Sequence, residues 1–142
     1  MSKSIHFDPA GRLVAIDAYG CPFDHLNSAE FLMSEANKAA RKAEMNVLAV
    51  TVVPFHPQGL SMVLILGESH LTVHTTPERS YAAIDIFTCG KGDPLRAAKH
   101  LLKALNPKYT TVKSLPRGLL SAAVKQEDEP FRSEETVCSS AI

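Results

Sequence analysis

Four short runs rich in Val, Leu and Ile, Met45–Val53, Leu60–Leu66, Leu71–Thr75 and Tyr81–Phe87, follow one another with only a few breaker residues between them. Pro54, Pro57 and Gly59 punctuate the first pair, and Thr76-Pro77-Glu78-Arg79-Ser80 the last, so each run reads as a strand that ends in a turn. Upstream, Leu13–Tyr19 is apolar except for Asp17 and is bounded by Gly11 and Gly20, the pattern of a buried strand. Asn27 followed three residues later by Glu30 gives an N-cap and capping-box signal, and Phe31, Leu32, Ala36, Ala39, Ala40 and Ala43 recur at helical spacing, which predicts a helix from about Ser28 to Glu44. Asp93 before Pro94 caps a second helix with Leu95, Ala98, Leu102 and Leu105 as its apolar face, ending near Asn106-Pro107. Tyr109–Val112 adds an edge strand, and the polar, acidic stretch 125–142 reads as a mobile tail.

The order strand, helix, several strands, helix, strand implies an α+β two-layer sandwich, a mainly antiparallel sheet with helices on one face. Residues 1–124 are expected to make one domain. The uncovered sheet face predicts a homodimer in which two sheets pack into a larger α/β/β/α assembly.

Fifteen basic residues balance fifteen acidic ones, so no general electrostatic case exists for nucleic acid or an anionic membrane, and a small-molecule partner is expected. Cys21, Cys89 and Cys138 are odd in number and lack a C-x-x-C pair, which argues against a disulfide scaffold and a zinc ribbon and for reduced thiols in a cytoplasmic setting. The apolar run Met62–Leu66 is far too short to span a bilayer, and no apolar signal region follows Met1-Ser2-Lys3-Ser4.

Chemistry concentrates in Gly67-Glu68-Ser69-His70-Leu71-Thr72-Val73-His74-Thr75 and in Asp85-Ile86-Phe87-Thr88-Cys89-Gly90, where a hydroxyl, two imidazoles and a thiol stand close in sequence. His70 and His74 have metal-ligand spacing only on a helix; on a strand they stand about 13 Å apart, so no metal is expected. Taken singly, Cys89 reads first as a small buried hydrophobe, and the histidines as hydrogen-bonded strand residues. A serine hydrolase is a weak rival, since Ser69 lacks the G-x-S-x-G elbow.

Several motifs in one order resemble a known family. Pro57-Gln58-Gly59-Leu60-Ser61, Glu68 through Thr75, Pro77-Glu78, Tyr81-Ala82-Ala83-Ile84-Asp85 and Phe87-Thr88-Cys89-Gly90 closely resemble the short prokaryotic S-adenosylmethionine decarboxylase proenzymes. A weaker likeness covers Gly11-Arg12, Asp17, Tyr19-Gly20-Cys21, Leu26-Asn27 and the helix after Asp93.

The resemblance implies self-cleavage between Glu68 and Ser69, giving a β chain of residues 1–68 and an α chain of residues 69–142. The Ser69 hydroxyl attacks the Glu68 carbonyl carbon, the resulting ester undergoes β-elimination, and hydrolysis leaves a pyruvoyl group at position 69. His74 is implied as the processing base, Ser61 as its supporting hydroxyl and Cys89 as the proton donor in turnover. The pyruvoyl ketone forms a Schiff base with the substrate amine and accepts the electron pair left by carbon dioxide. The implied reaction turns S-adenosylmethionine into the aminopropyl donor of spermidine synthesis.

For the substrate, the resemblance assigns Phe55 to the adenine ring and Glu78 to the ribose. The position of Thr76 usually carries a second aromatic wall; its loss at fixed geometry weakens adenine binding roughly 2- to 13-fold. A second reading follows, decarboxylation of a basic amino acid such as arginine or ornithine, with Glu78 or Asp17 receiving the cationic group. Met62 replaces a residue that is commonly small, which narrows the expected pocket. A reading of another class is an unprocessed, non-catalytic partner subunit.

Overall fold

The computed structural model describes residues 9–67 and 69–119. Glu68, the expected tail 125–142 and Cys138 lie outside the described residues. Strands β1 (Gly11–Tyr19), β2 (Val47–Pro54), β3 (Leu60–Leu66), β4 (Ser69–Thr76), β5 (Tyr81–Thr88) and β6 (Tyr109–Arg117) form one antiparallel sheet in the order β2-β3-β4-β5-β1-β6. The four apolar runs thus become a meander, because each connection is too short for anything but a return beside the preceding strand. β1 closes onto β5, and β6 is the edge strand beyond it.

Helices α1 (Phe23–Leu26), α2 (Ala29–Lys42) and α3 (Pro94–Leu105) cover one face. Period-2 alternation sends Val14, Ile16 and Ala18 of β1, Met62 and Leu64 of β3, Leu71 and Val73 of β4, and Ile84 and Ile86 of β5 to that side, where all are buried. They meet Leu32, Ala36, Ala39 and Ala40 of α2 and Ala97, Ala98, Leu101 and Leu105 of α3. Met62 is fully buried in this core, so its bulk fills the layer under the helices and does not line a pocket on the other face.

Three local expectations need correction. Ser28, and not Asn27, is the N-cap of α2, its hydroxyl accepting the Phe31 N–H at 3.1 Å. Asn27 instead ends the short helix α1, an element that four residues of weak signal did not announce. The apolar face of α3 is rotated by one residue: Leu95 is exposed while Pro94, Ala97, Ala98, Leu101 and Leu105 are buried. β6 also runs on to Arg117, five residues past the expected end, because β1 offers a pairing partner along its whole length. Asp93 caps α3 as expected, accepting from Leu95 and Arg96, and Asn106 ends it in the left-handed conformation.

A polar tie joins the two long helices at their outer surface. His100 Nε2 lies 2.8 Å from Glu35 Oε2, and its Nδ1 lies 2.9 Å from Lys42 Nζ. A lysine ammonium has only protons to give, so Nδ1 accepts and Nε2 carries the hydrogen that Glu35 receives. The hydrogen bond from Lys38 at 2.7 Å holds the Glu35 carboxyl below its ordinary range.

Leu71 sits at the centre of the buried face, paired with Leu64 on one side and Ile86 on the other. Truncation to alanine there leaves a cavity beneath the helices, and Leu71→Ala is expected to lower stability by about 2–5 kcal/mol, read by urea unfolding.

Candidate active site

The face of the sheet without helices carries most of the chemistry. The register sets Ser61 opposite His74, with Ser61 Oγ 2.7 Å from His74 Nδ1. The same cross-strand row continues through Ala83 and Asp17 to Thr111. Both Asp17 oxygens are engaged: the Tyr81 hydroxyl donates to one at 2.5 Å and the Thr111 hydroxyl to the other at 3.1 Å. That contact, with burial adding to it, pushes the Tyr81 phenol up to about 12. Next along the strands is the row Thr76, Tyr81, Tyr19 and Tyr109. Tyr19 lies between its neighbours, with ring centroids 5.2 Å from Tyr81 and 4.6 Å from Tyr109.

A second cluster forms where β4 begins and β5 ends. Ser69 pairs with Thr88, and Ser69 Oγ lies 3.7 Å from Cys89 Sγ. Thr88 is buried and its hydroxyl accepts the Gly90 N–H at 3.2 Å, closing the turn that carries the thiol. Gly11 of β1 passes so close that a Cβ there would meet the Thr88 carbonyl oxygen at 2.4 Å and the Cys89 Cα at 2.9 Å. The absence of a side chain at Gly11 therefore lets β1 seat against the Cys89 turn. A cleft of about 570 Å³, lined by Gly11, Arg12, Thr88, Gly90, Asp93 and Leu95 among others, opens at the residues flanking Cys89, a size usual for small-molecule sites.

The third cluster is the loop between β2 and β3 with the 3-10 turn Pro77–Arg79. Phe55 is half exposed in that loop, and Gln58 Nε2 reaches Glu78 Oε2 at 3.4 Å. Thr76 ends β4 immediately before the turn.

These clusters are separate within one subunit. Ser69 and His74 are five residues apart on the same strand, about 16 Å along it, and the alternation turns them to opposite faces. The structure therefore brings together Ser61 with His74, Ser69 with Cys89, and the Phe55 loop with Glu78, but it does not bring His74 to its own Ser69. Asp17 lies in the His74 row, two strands away. Tyr81, Gln58 and Thr88 stand inside the motifs of the family likeness, yet no role was read for them; their partners appear only once the register is known. His70 and His74 stand on the strand as expected, and among the described residues no group of three His, Cys, Asp or Glu could hold a metal ion.

A family model described as S-adenosylmethionine decarboxylase matches residues 12–118. The chain belongs to the S-adenosylmethionine decarboxylase family. It is 45% identical over 116 residues to the S-adenosylmethionine decarboxylase proenzyme of Brevibacillus brevis, covering 81% of this chain and 87% of that protein. It is 42% identical over 119 residues to the proenzyme of Anoxybacillus flavithermus, covering 84% and 96%. The crystal structure of the adenosylmethionine decarboxylase from Aquifex aeolicus superimposes with a TM-score of 0.74 at 28% identity, over 84% of this chain and 99% of that one. That superposition shows a shared fold, and in this chain it is an α+β fold with the helices on one side of the sheet. No helix among the described residues is long and apolar enough to cross a membrane.

The Tyr81–Asp17 contact has a pH signature. Because the folded-state value is raised above the ordinary 10, the stability it contributes is fully present below about pH 10 and is lost as the pH rises toward about 12. Asp17→Asn removes the charge that resists ionisation, so phenolate absorbance is expected to appear at lower pH, and the alkaline loss of stability should shift down with it.

Proposed function

We propose that the chain is a self-processing, pyruvoyl-dependent decarboxylase that releases carbon dioxide from S-adenosylmethionine, supplying the aminopropyl donor for spermidine, and that each of its sites is built from two subunits of a homodimer. The observation that carries this reading is the strand register, which sets the Ser61–His74 pair about 16 Å from Ser69. A base that far away cannot take a proton from Ser69 in its own subunit. The open sheet face exposes Val53, Ile65, Tyr109 and Leu115 and half-buries Leu13, Val63 and Phe87, the kind of surface that a second sheet covers. Ser69 is the first residue of β4, at the end of the sheet, so two-fold pairing of such faces would bring His74 of the partner subunit to the strand end where Ser69 and Cys89 meet, and one interface would build two identical sites.

In processing, the Ser69 hydroxyl attacks the Glu68 carbonyl carbon and the peptide bond becomes an ester. His74 of the partner subunit then takes the Ser69 α-proton, the Glu68 carboxylate leaves, and the dehydroalanine at position 69 tautomerises to an imine that water hydrolyses to a ketone with release of ammonia. For His74 to act through Nε2, its Nδ1–H donates to Ser61, as the 2.7 Å contact permits. The residues around position 69 fit a carbonyl group there: Cys89 Sγ stands 3.7 Å from the Ser69 oxygen, and a cleft lined by Thr88 and Gly90 opens beside the turn that carries Cys89. A ketone at that position supplies the electron sink that standard side chains lack. Cys89 holds the proton that replaces the carboxylate, Phe55 offers a face for adenine, and Glu78 offers its carboxylate to ribose hydroxyls. Decarboxylation of arginine or ornithine needs an acid open to a cation; Asp17, with both oxygens engaged, is already committed, which leaves Glu78.

Denatured mass is expected to show fragments 1–68 and 69–142, and a single uncut species in wild-type protein would overturn the enzyme reading. Co-expression decides whether sites are shared. Ser69→Ala and His74→Ala are each expected to remain uncut alone, while in mixed dimers the His74→Ala chain is cut by the histidine of its Ser69→Ala partner. Cutting of the His74→Ala chain by itself would refute that assignment. Cys89→Ala should process normally yet lose about 10²–10⁴-fold in release of labelled carbon dioxide from S-adenosylmethionine. Release from arginine or ornithine alone would reassign the substrate.

A further inference from the structure

The loop that carries Phe55 is held from outside the sheet by one side chain that the proposed chemistry does not use. Asn27 Oδ1 accepts the Gly59 N–H at 2.9 Å, across 32 positions of sequence. Gly59 is where this loop turns back into β3. Its φ of +91° suits glycine, and a Cβ there would meet the Thr75 carbonyl oxygen at 2.9 Å. The Phe55 N–H donates to the Gly59 carbonyl at 2.8 Å, so fixing Gly59 fixes the start of the loop as well. At the far side, Gln58 reaches Glu78, and α1 packs against the turn that carries Glu78. Asn27 is the last-turn cap of that same helix.

We infer that Asn27 is a positioning residue that sets the spacing between Phe55 and Glu78, α1 acting as a bracket with one end on the loop and its side on the turn. The inference rests on the proposed roles of Phe55 and Glu78 in binding substrate. Asn27 is exposed and lies outside the apolar core, so its side chain is not needed to bury that core. Without it, the buried Gly59 amide loses its partner, and the loop is held by the Phe55–Gly59 backbone bond, the Leu60 N–H to Thr75 hydroxyl bond at its end and the 3.4 Å Gln58 contact. Substrate and transition state lose the same positioning, so the loss falls on binding and not on the chemical step.

Asn27→Ala in the full-length, self-processed protein is expected to raise KM for S-adenosylmethionine about 2- to 13-fold, the equivalent of one ordinary hydrogen bond, with kcat unchanged. Cleavage between Glu68 and Ser69 should remain complete. Hydrogen exchange at the Gly59 amide should quicken while amides of β3 and β4 keep their protection, and Asn27→Asp, which retains an acceptor oxygen, should restore both KM and exchange. A fall in kcat with unchanged KM, a failure to fold or process, or an equally impaired Asn27→Asp would each overturn the assignment. Phe55→Ala and Glu78→Gln serve as references. If they leave KM unchanged, the reading of the pocket fails and this inference with it; if they raise KM while Asn27→Ala does not, only the inference fails.

Discussion

The register of β4 between β3 and β5 is the constraint on which the rest depends. It places Ser61 opposite His74, Ser69 opposite Thr88 and beside Cys89, and Thr76 opposite Tyr81. A slip of one residue would exchange the two faces of the strand, sending Leu71 and Val73 to the open side and His74 into the core. The core therefore enforces the chemistry: burial of Leu64, Leu71 and Ile86 beneath α2 and α3 is what keeps the imidazole on the open face. Function and stability are read from alternate residues of the same strand.

That alternation is why Ser69 and His74 do not meet within one subunit. A strand is stiff and its side chains have fixed directions, so residues five apart can be neither neighbours nor on one side. His70 and Asp85 share the open face with His74 and Asp17, and their side chains, like that of His74, alternate away from the side to which Ser69 is turned. The apolar surface around the row of Ser61, His74 and Asp17 is of the kind that a second copy of the sheet would cover, as the proposed dimer requires. Tyr81 and Asp17 share this row's border; their hydrogen bond spans β5 and β1 and stiffens the part of the face where an interface would form.

Much of the architecture was legible because strong periodic signals carried it: the strands, both long helices, the Asp93 cap and the edge position of β6 all follow from runs of apolar residues and their breakers. The motifs around Ser69 and Cys89 were legible as a family likeness, and the comparisons bear out the family. What escaped had physical reasons. Helix α1 is one turn long, too short for periodicity to register, and Asn27 and Ser28 are equally good caps in isolation. The burial of Leu95 cannot be told from that of Ala97 when apolar residues lie on both sides of the helix. The distance between Ser69 and His74 was implicit in the strand assignment, yet closeness in sequence suggested closeness in space. Tyr81 with Asp17, and Gln58 with Glu78, are pairs that only a register can reveal.

The sheet order also bears on how a chain could survive being cut between Glu68 and Ser69. The first fragment would own β1, β2 and β3, and the second β4, β5 and β6. Were each fragment's strands contiguous, a single ladder would join them and the halves could part by breaking it. They are not contiguous: β1 of the first fragment lies between β5 and β6 of the second, and β3 lies against β4. Separation would break three ladders at once and expose the core shared by α2 and α3. The cut position lies between β3 and β4, where no ladder needs the peptide bond for its pairing. A topology that threads β1 through the other fragment would thus permit the proposed backbone break without loss of the fold, and would keep a new terminus at position 69 beside Cys89.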